Sequence, residues 1–224
     1  MIRLERDGAV FVLRWDADEN RFGDGAVAEW SDALDEVERA DSPKALVTTG
    51  SGKFYSNGLD LDFMLREDGR HAGAYLAGVL GLYARVLTLA CPTVAAMNGH
   101  AFGAGGQIAL AHDFRVMRED RGFFCMPEID MRAPLHPGMT AILHARLPAQ
   151  TAHEVIATGR RYGGAEALAA GIVEHAVPEP EVLPRALALA RALAPKAHPV
   201  MSRLKAGLYP AVLAALRAPL PNAG

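Results

Sequence analysis

The chain has 224 residues, half of them hydrophobic, and a formal net charge of −3 at pH 7. This length and apolar content suit a single domain with a large core, and the small net charge argues against a nucleic-acid-binding surface or a polybasic membrane patch. Arg or Pro interrupts the longest apolar runs well short of a bilayer span. Cys91 and Cys125 lack CxxC spacing, which favours free, reduced thiols over a disulfide.

Strands and helices alternate over the first two-thirds of the chain. Two strand-like segments, at residues 2–6 and 10–14, flank Asp7-Gly8 and predict a β-hairpin. Further strands are predicted at residues 45–48, 93–97, 114–117, 122–125 and 172–177, and helices at residues 27–37, 60–65, 72–89 and 105–112. Strands that alternate with helices predict an α/β fold with much parallel pairing.

The last third of the chain is predicted to be mostly helical, at residues 137–147, 149–158, 165–169, 183–193 and 200–216. Because no linker or low-complexity segment interrupts the sequence, we expect one domain over residues 1–224. Its core should occupy about residues 1–180 and its helical region about residues 181–224. The helical region either caps the core or forms an interface between copies of the chain.

Two glycine-bearing turns stand out, in the sequences GKFYSNGLDL at residues 52–61 and NGHAFGAGGQ at residues 98–107. Each follows a predicted strand and precedes a predicted helix. Glycine turns expose backbone N–H groups, and a helix N-terminus adds unpaired N–H groups and the positive end of the helix dipole. If the two turns face each other, they can hold one oxygen atom between two amides, as the stabilisation of an oxyanion requires.

Other site patterns are absent or incomplete. Gly52-Lys53 lacks the upstream glycine and the following Ser or Thr of a phosphate-binding P-loop, and no HExxH or GxSxG motif occurs. The histidines show no metal-ligand spacing, so we predict no metal site. Ser56 has no base assigned to it and is interpreted as a hydroxyl that stabilises the turn. His100 either orients the glycine loop or is structural.

Glu128 is the carboxylate that best suits a chemical role. It lies just after a predicted strand in the apolar segment FFCMPEID, at residues 123–130. Burial raises the pKa of such a carboxyl group and suits it to carrying a proton near neutral pH. An exposed loop glutamate is the alternative, and Asp130 is either a second acid or a helix cap.

Together these motifs resemble the crotonase (enoyl-CoA hydratase/isomerase) superfamily over residues 2–208, and most of all the single-glutamate Δ3,Δ2-enoyl-CoA isomerases of the plant peroxisomal type. The resemblance rests on both glycine turns, on PTVAAMNGHA at residues 92–101, and on Asp113, Pro127-Glu128, Ala167 and Gly171-Ile172-Val173. It implies a spiral of ββα repeats with a helical C-terminal region, assembly as a homotrimer or hexamer, and an acyl-CoA thioester substrate. No cofactor is implied, since coenzyme A belongs to the substrate.

The resemblance also implies roles for single residues. The N–H groups of Leu59 and Ala104 would form the oxyanion hole, and Glu128 would be the catalytic carboxylate. The substrate-binding residues would be Ser56, Asn57, Gly58, Asp60, Leu61, Gly103, Gln107 and Met131. Apolar candidates for the acyl pocket are Met64, Leu65, Met131, Leu135 and Met139, with core packing as the alternative. Candidates for the phosphates of coenzyme A are Arg21, Lys53 and Arg66, with solvated surface as the alternative.

The predicted reaction follows from Gln107. Hydratases of this superfamily use two glutamates to activate water, and Gln107 stands where the first belongs. An amide can hydrogen-bond a water but cannot take its proton. One carboxylate suffices to move a proton from C2 to C4, so we expect an enoyl-CoA isomerase that forms 2-trans-enoyl-CoA from 3-enoyl-CoA.

Alternatives remain within and outside catalysis. The same scaffold hosts enoyl-CoA hydration, thioester hydrolysis and decarboxylation, and an acyl-CoA-binding protein without activity is possible on the same motifs. Plant relatives of this type are peroxisomal. The absence of a targeting tail and the Ala-, Arg- and Gly-rich composition favour a bacterial cytoplasm instead.

Overall fold

The computed structural model describes residues 1–23, 25–65 and 71–218. Its strands are β1 (Ile2–Asp7), β2 (Val10–Trp15), β3 (Arg21–Phe22), β4 (Ala45–Gly50), β5 (Phe54–Ser56), β6 (Gly58–Leu59), β7 (Thr93–Met97), β8 (His100–Phe102), β9 (Phe114–Arg118), β10 (Phe124–Cys125) and β11 (His175–Val177). Its helices are α1 (Ala26–Arg39), α2 (Leu61–Met64), α3 (Ala72–Leu87), α4 (Ala104–Ala111), α5 (Glu128–Met131), α6 (Pro137–Arg146), α7 (Ala149–Thr158), α8 (Gly164–Ala169), α9 (Glu179–Leu193), α10 (Pro199–Leu208) and α11 (Pro210–Leu216). None of the helices in these ranges is both long and apolar enough to cross a bilayer.

A six-stranded sheet in the order β1-β2-β4-β7-β9-β11 organises the fold. β1 and β2 form the antiparallel hairpin predicted around Asp7-Gly8, and the strands from β2 onward pair in parallel. Parallel strands need crossover connections, which accounts for the alternation of strands and helices in the sequence. Two smaller sheets, β10-β8-β5 and β3-β6, contain the strands that border both glycine turns.

The large sheet is covered on both faces. Val10 and Val12 of β2 pack with α9, whereas Phe11 and Leu13 of the same strand pack into the main core with α1 and α3. This division follows from the two-residue repeat of a strand, which sends successive side chains to opposite faces. The first helix of the C-terminal region, α9, is therefore one layer of the fold.

The helix predicted at residues 200–216 is two helices, α10 and α11, which meet at Tyr209. Pro210 has no N–H to donate, and its ring disfavours helical backbone in the residue before it. Tyr209 accordingly has a φ of −125° and a ψ of 39°, outside the helical region. The chain turns at this point, and α11 packs against α6.

The strand predicted at residues 172–177 begins only at His175. The N–H groups of Ile172 and Val173 instead donate to the Ala167 carbonyl, at 2.8 and 3.3 Å, and so cap the end of α8. Gly171 makes this turn possible with a φ of +70°. Ile172 and Val173 are nevertheless buried, which explains their strand-like pattern.

A buried lysine anchors α10 to the body of the protein. The Lys205 ammonium donates to the Asp113 carboxylate at 2.7 Å and to the Cys91 carbonyl at 2.9 Å. Asp113 also accepts the Thr93 N–H at 2.8 Å, so its charge is well paired. Although Lys205 points inward, the apolar residues Val200, Leu204 and Leu208 of the same helix are exposed.

A polar network is buried between β4 and the end of α4. The ring of His112 is fully buried, with Nε2 3.0 Å from Thr48 Oγ1 and Nδ1 2.8 Å from the Ile108 carbonyl oxygen. Thr48 Oγ1 also hydrogen-bonds the Tyr55 hydroxyl at 2.8 Å. Since the Ile108 carbonyl can only accept, Nδ1 carries the ring proton. Burial lowers the pKa of His112 to about 3.

We predict that His112 makes the protein less stable in acid. Its pKa is near 6.5 in the unfolded chain and about 3 in the folded protein, so the unfolded chain binds more protons between these values. The contribution of His112 to the free energy of unfolding is therefore fully present above pH 6.5 and is lost as the pH falls toward 3. Between these pH values, the free energy of unfolding measured by urea titration should change because of His112 with a slope that approaches ~1.4 kcal/mol per pH unit.

The control is a histidine on the surface. His112→Asn should remove this component from the pH slope, whereas the exposed His144, changed to Asn, should leave the slope as in the unaltered protein. Identical slopes for all three proteins would show that His112 does not carry the effect.

Candidate active site

The first glycine turn packs directly against the second. Gly58 has a φ of +87°, which favours glycine. A Cβ atom at this position would lie 2.7 Å from the Phe102 carbonyl oxygen and 3.1 Å from the Ala104 nitrogen, so a larger residue does not fit. The Leu59 nitrogen is bonded to the Gly58 carbonyl carbon, so the backbone amides of Leu59 and Ala104 lie close together.

Asn20, which no sequence motif marks, holds the first turn in shape. It is fully buried with a φ of +53°, and its Nδ2 donates to the Phe54 carbonyl at 2.9 Å. The Ser56 hydroxyl donates to the Asn20 carbonyl at 2.6 Å and accepts the Gly58 N–H at 3.2 Å. Ser56 therefore stabilises the turn from within.

The second turn leads into the N-terminus of α4. Gly103 has a φ of +49° and a ψ of −120°, and the helix begins at Ala104. As the first residue of the helix, Ala104 has no intrahelical acceptor for its N–H. A Cβ atom at Gly105 would overlap the Ser56 backbone oxygen, so α4 lies directly on β5. The buried Tyr83 hydroxyl donates to the Ala104 carbonyl at 3.1 Å and fixes this first helical turn.

Glu128 is the first residue of α5 and lies beside the second turn. A Cβ atom at Gly103 would be 3.4 Å from its Oε1. Its Oε2 is buried and has no hydrogen-bond partner among the residues that the structure describes. Burial raises the pKa of the Glu128 carboxyl group above its usual range. The carboxyl group is thus turned inward, where a base with a raised pKa can act.

A cavity of about 330 Å³ lies between the two turns and α5. It brings together the predicted site residues Asn57, Gly58, Leu59, Leu61, Gly103, Ala104, Glu128 and Met131. Of the predicted acyl-pocket residues, Met64, Leu135 and Met139 also line it. The cavity therefore combines two backbone turns, one inward carboxylate and an apolar wall.

Three predicted substrate-binding residues, Ser56, Asp60 and Gln107, are not among the residues that line the cavity. Asp60 is the N-cap of α2, where it accepts the Phe63 N–H at 2.9 Å. Gln107 is fully buried, with its Nε2 3.5 Å from the Met126 sulfur. Within the described chain, Gln107 Oε1 has no hydrogen-bond partner.

Of the three basic candidates for phosphate contacts, the structure describes Arg21 and Lys53, and both lie near enough to Glu19 to lower the pKa of its carboxyl group. Arg21 lines the cavity and is paired with Glu19 at 2.6 Å. The Lys53 ammonium lies 5.3 Å from the centroid of the Phe54 ring. Arg66 lies outside the described residues. The predicted acyl-pocket residue Leu65 is 64% exposed and does not line the cavity.

Asp130 and His100 also lie away from the cavity wall. Asp130 is exposed and faces Gly159, where a Cβ atom would lie 2.9 Å from its Oδ2. The His100 ring packs against Phe54 and Phe102, at centroid distances of 5.3 and 4.8 Å. Asp130 is thus no second acid in this cavity, and His100 packs as a structural residue.

His136 is a cavity residue that the sequence did not predict. The only local signal is His136-Pro137, which is typical of a helix start because proline fits the first helical position. Its place in the cavity depends on how α6 packs. Within the described residues, no group of three or more His, Cys, Asp or Glu side chains could hold a metal ion.

In sequence and in fold, the chain is similar to enoyl-CoA hydratases and isomerases. Residues 5–219 match the family model described as enoyl-CoA hydratase/isomerase. Enoyl-CoA delta isomerase 3 of Arabidopsis thaliana is 33% identical, over 94% of this chain and 92% of its own length. A probable enoyl-CoA hydratase from Mycobacterium tuberculosis superposes with a TM-score of 0.90 at 25% identity, covering 97% of this chain and 92% of that one. Human mitochondrial Δ3-Δ2-enoyl-CoA isomerase superposes with a TM-score of 0.88 at 25% identity, covering 96% and 85%.

We predict that Gly58→Ala destabilises the protein by ~2–5 kcal/mol. A left-handed backbone costs a non-glycine residue about 1–2 kcal/mol, and forcing an atom into a packed site typically costs about 1–3 kcal/mol more. Gly8 provides the matched control, because it has a φ of +61° with no atom within 4 Å of its would-be Cβ. In urea denaturation, Gly8→Ala should lower the free energy of unfolding only by the cost of the left-handed backbone conformation. Equal losses in the two variants would contradict the close contact between the turns.

Proposed function

Because the chain belongs to the enoyl-CoA hydratase/isomerase family, we propose that it is an enoyl-CoA isomerase that converts a 3-enoyl-CoA into the 2-trans-enoyl-CoA. The observation that carries this proposal is the inward carboxyl group of Glu128, whose Oε2 has no hydrogen-bond partner among the described residues. It is the one carboxylate among the described residues that lines the cavity. A single carboxylate is enough to shuttle a proton. Hydration would need a second acid to activate water, and Gln107, which stands in that acid's place, cannot take a proton from water.

The proposed mechanism needs two kinds of group. The Leu59 and Ala104 N–H groups donate to the thioester oxygen, and the Glu128 carboxylate removes a proton from C2. The C2–H electron pair moves into the C1–C2 bond, and negative charge develops on the thioester oxygen between the two donors. Glu128 then returns the proton to C4, the double bond moves from C3–C4 to C2–C3, and the carboxylate is regenerated.

The environment of Glu128 suits both halves of this shuttle. Its raised pKa makes the carboxylate a stronger base and brings its conjugate acid closer to neutral pH. Gly103 leaves the space beside the carboxyl group free of a side chain. Most of the other side chains that line the cavity are apolar, which disfavours water that would compete for the proton.

Hydration of a 2-enoyl-CoA is the second candidate. Its support among the similar structures is mixed, because the Mycobacterium tuberculosis protein is described in one structure as a probable enoyl-CoA hydratase and in another as an enoyl-CoA isomerase, and both descriptions apply to that protein. Against it stands Gln107, which is fully buried and does not line the cavity. Thioester hydrolysis, decarboxylation and acyl-CoA binding without catalysis remain weaker candidates, because none of them requires the inward carboxylate.

We predict that Glu128→Gln lowers kcat for isomerisation of a 3-enoyl-CoA by about 10²–10⁴-fold, because the amide cannot accept the C2 proton. The measurement is the formation of the conjugated 2-enoyl thioester by ultraviolet absorbance. Asp130→Asn, on the same short helix but outside the cavity, is the matched control and should keep the unaltered rate. Undiminished turnover by Glu128→Gln would overturn the proposed role.

The same preparations separate isomerisation from hydration. With 2-trans-enoyl-CoA as substrate, loss of the conjugated absorbance reports the addition of water. We expect this rate to be far below that of isomerisation. If hydration is the faster reaction, the protein is a hydratase.

We also propose that copies of the chain associate through α10, in line with the trimer or hexamer that the resemblance implies. Val200, Leu204 and Leu208 recur every four residues and are 41%, 65% and 71% exposed, so they form an apolar outer face. Burial of such a face between copies removes apolar surface from water.

We predict that Leu204→Glu lowers the mass measured by sedimentation equilibrium at a given concentration. Arg203→Glu places the same charge on the neighbouring exposed residue and should have a smaller effect. A monomeric unaltered protein, or equal effects of both variants, would contradict the assignment of this face.

A further inference from the structure

Two tyrosines of α3 reach the two glycine turns from one helix. Tyr75 and Tyr83 are both buried and stand just over two helical turns apart. Each hydroxyl bonds to the backbone next to one of the proposed oxyanion donors. Leu76, the residue after Tyr75, lines the cavity itself. The same helix therefore contacts the cavity and both turns.

The Tyr75 hydroxyl joins the first turn to the strand beside it. It accepts the Asp60 N–H at 3.1 Å and donates to the Phe22 carbonyl. Phe22 is paired with Leu59 in the parallel ladder between β3 and β6. The hydroxyl therefore holds the peptide that directly follows Leu59, and it holds the neighbouring strand at the same point.

The Tyr83 hydroxyl holds the corresponding peptide of the second turn. It donates to the Ala104 carbonyl at 3.1 Å, and this carbonyl belongs to the peptide that directly follows Ala104. Because a peptide group is planar, only the φ and ψ angles of Leu59 and of Ala104 separate each held peptide from the donor N–H that precedes it. The two tyrosines thus act at equivalent places on the two sides of the site.

Both hydroxyls keep their protons at neutral pH. Burial raises the pKa of Tyr75 to about 12 and raises the pKa of Tyr83 above its usual value. The Phe22 and Ala104 carbonyls can only accept a hydrogen bond, so the tyrosine protons make these two bonds.

The hydroxyls add direction to the site more than they add volume. A phenylalanine would fill nearly the same space, and the Tyr83 ring already packs with its centroid 6.5 Å from that of Phe22. Oxyanion donors are effective only when they are aimed at the position where charge develops, and a small misplacement of a catalytic group lowers the rate strongly. Hydrogen bonds that hold the two donor turns are suited to this requirement.

We propose that Tyr75 and Tyr83 are positioning residues for the oxyanion hole, and that α3 sets the separation and direction of the Leu59 and Ala104 N–H groups through the two hydroxyls. This inference rests on the proposed function for the pair of donors. Neither tyrosine is among the residues that line the cavity, so both act through the backbone and not on the substrate.

The test reads the polarisation of a bound thioester, so that it does not depend on turnover. The probe is 2,4-hexadienoyl-CoA, whose conjugated carbonyl absorbs at longer wavelength when hydrogen bonds draw electron density onto its oxygen. Binding to the unaltered protein should shift the absorbance of the probe to longer wavelength. Tyr75→Phe and Tyr83→Phe should each reduce this shift and leave the Kd of the probe nearly unchanged, because the acyl chain and the coenzyme A portion still bind.

Kinetics with a 3-enoyl-CoA give the second measurement. Each variant should lower kcat by about three- to tenfold and change KM little, as expected for the loss of one neutral hydrogen bond that acts in the transition state. This effect is smaller than the loss of about 10²–10³-fold that follows removal of a whole oxyanion donor, because both N–H groups remain in the chain.

The matched control is a tyrosine away from the turns. The Tyr209 hydroxyl accepts a hydrogen bond from Arg146 at 2.6 Å at the junction of α10 and α11. Because this bond involves a charged donor, Tyr209→Phe should lower the melting temperature at least as much as the other two variants. It should nevertheless keep the absorbance shift and kcat of the unaltered protein.

An unchanged shift and kcat in Tyr75→Phe or in Tyr83→Phe would overturn the role of that tyrosine, and an equal loss in Tyr209→Phe would overturn both roles. If the two variants lose the shift but no 3-enoyl-CoA is isomerised, the proposed reaction fails and the positioning role stands. If the unaltered protein isomerises its substrate and both variants keep the shift, the reverse holds. The absence of a shift in the unaltered protein would overturn the pair of donors and this inference together.

Discussion

The contact between the two glycine turns is the constraint on which the rest of the site depends. Gly58 lies against the backbone of Phe102 and Ala104, and Gly105 lies against Ser56, so no side chain separates the two segments. This contact sets the Leu59 and Ala104 amides close together before any ligand arrives. Donors that are already in place cost little reorganisation when charge develops on a bound oxygen, which is why such pairs are effective in catalysis. Asn20 and Tyr83 stiffen the two sides of the contact.

The burial of Glu128 is the second element of the account. A carboxylate in apolar surroundings is disfavoured unless it is paired, and Oε2 has no partner in the described part of the chain. The free-energy cost of burying this carboxyl group is offset by the packing of the core elsewhere in the protein. Locally unfavourable arrangements of this kind are common at functional sites. The membership of the chain in the enoyl-CoA hydratase/isomerase family supplies the class of substrate, and the single inward carboxylate favours proton transfer over water addition.

Much of the fold was predictable because its signals are local. Short patterns of apolar residues and glycine predict the hairpin around Asp7-Gly8, the parallel strands and both glycine turns. The break before Pro210 was equally local and was missed because the apolar pattern continued across it. By contrast, Asn20, His136 and the position of Gln107 depend on segments far apart in sequence, so no short pattern contains them. The side chains of Ser56 and Asp60, predicted to contact substrate, bond to backbone instead: Ser56 donates to the carbonyl of Asn20, which is distant in sequence, and Asp60 accepts the Phe63 N–H at the start of α2.

The most direct test of the central claim is a crystal structure with an unreactive acyl-CoA thioester bound. We expect the thioester oxygen to lie within about 3.1 Å of both the Leu59 and Ala104 nitrogens. We also expect the Glu128 carboxyl group to face C2 and C4 of the acyl chain. A thioester oxygen that contacts neither nitrogen, or a Glu128 side chain rotated into solvent, would contradict the account.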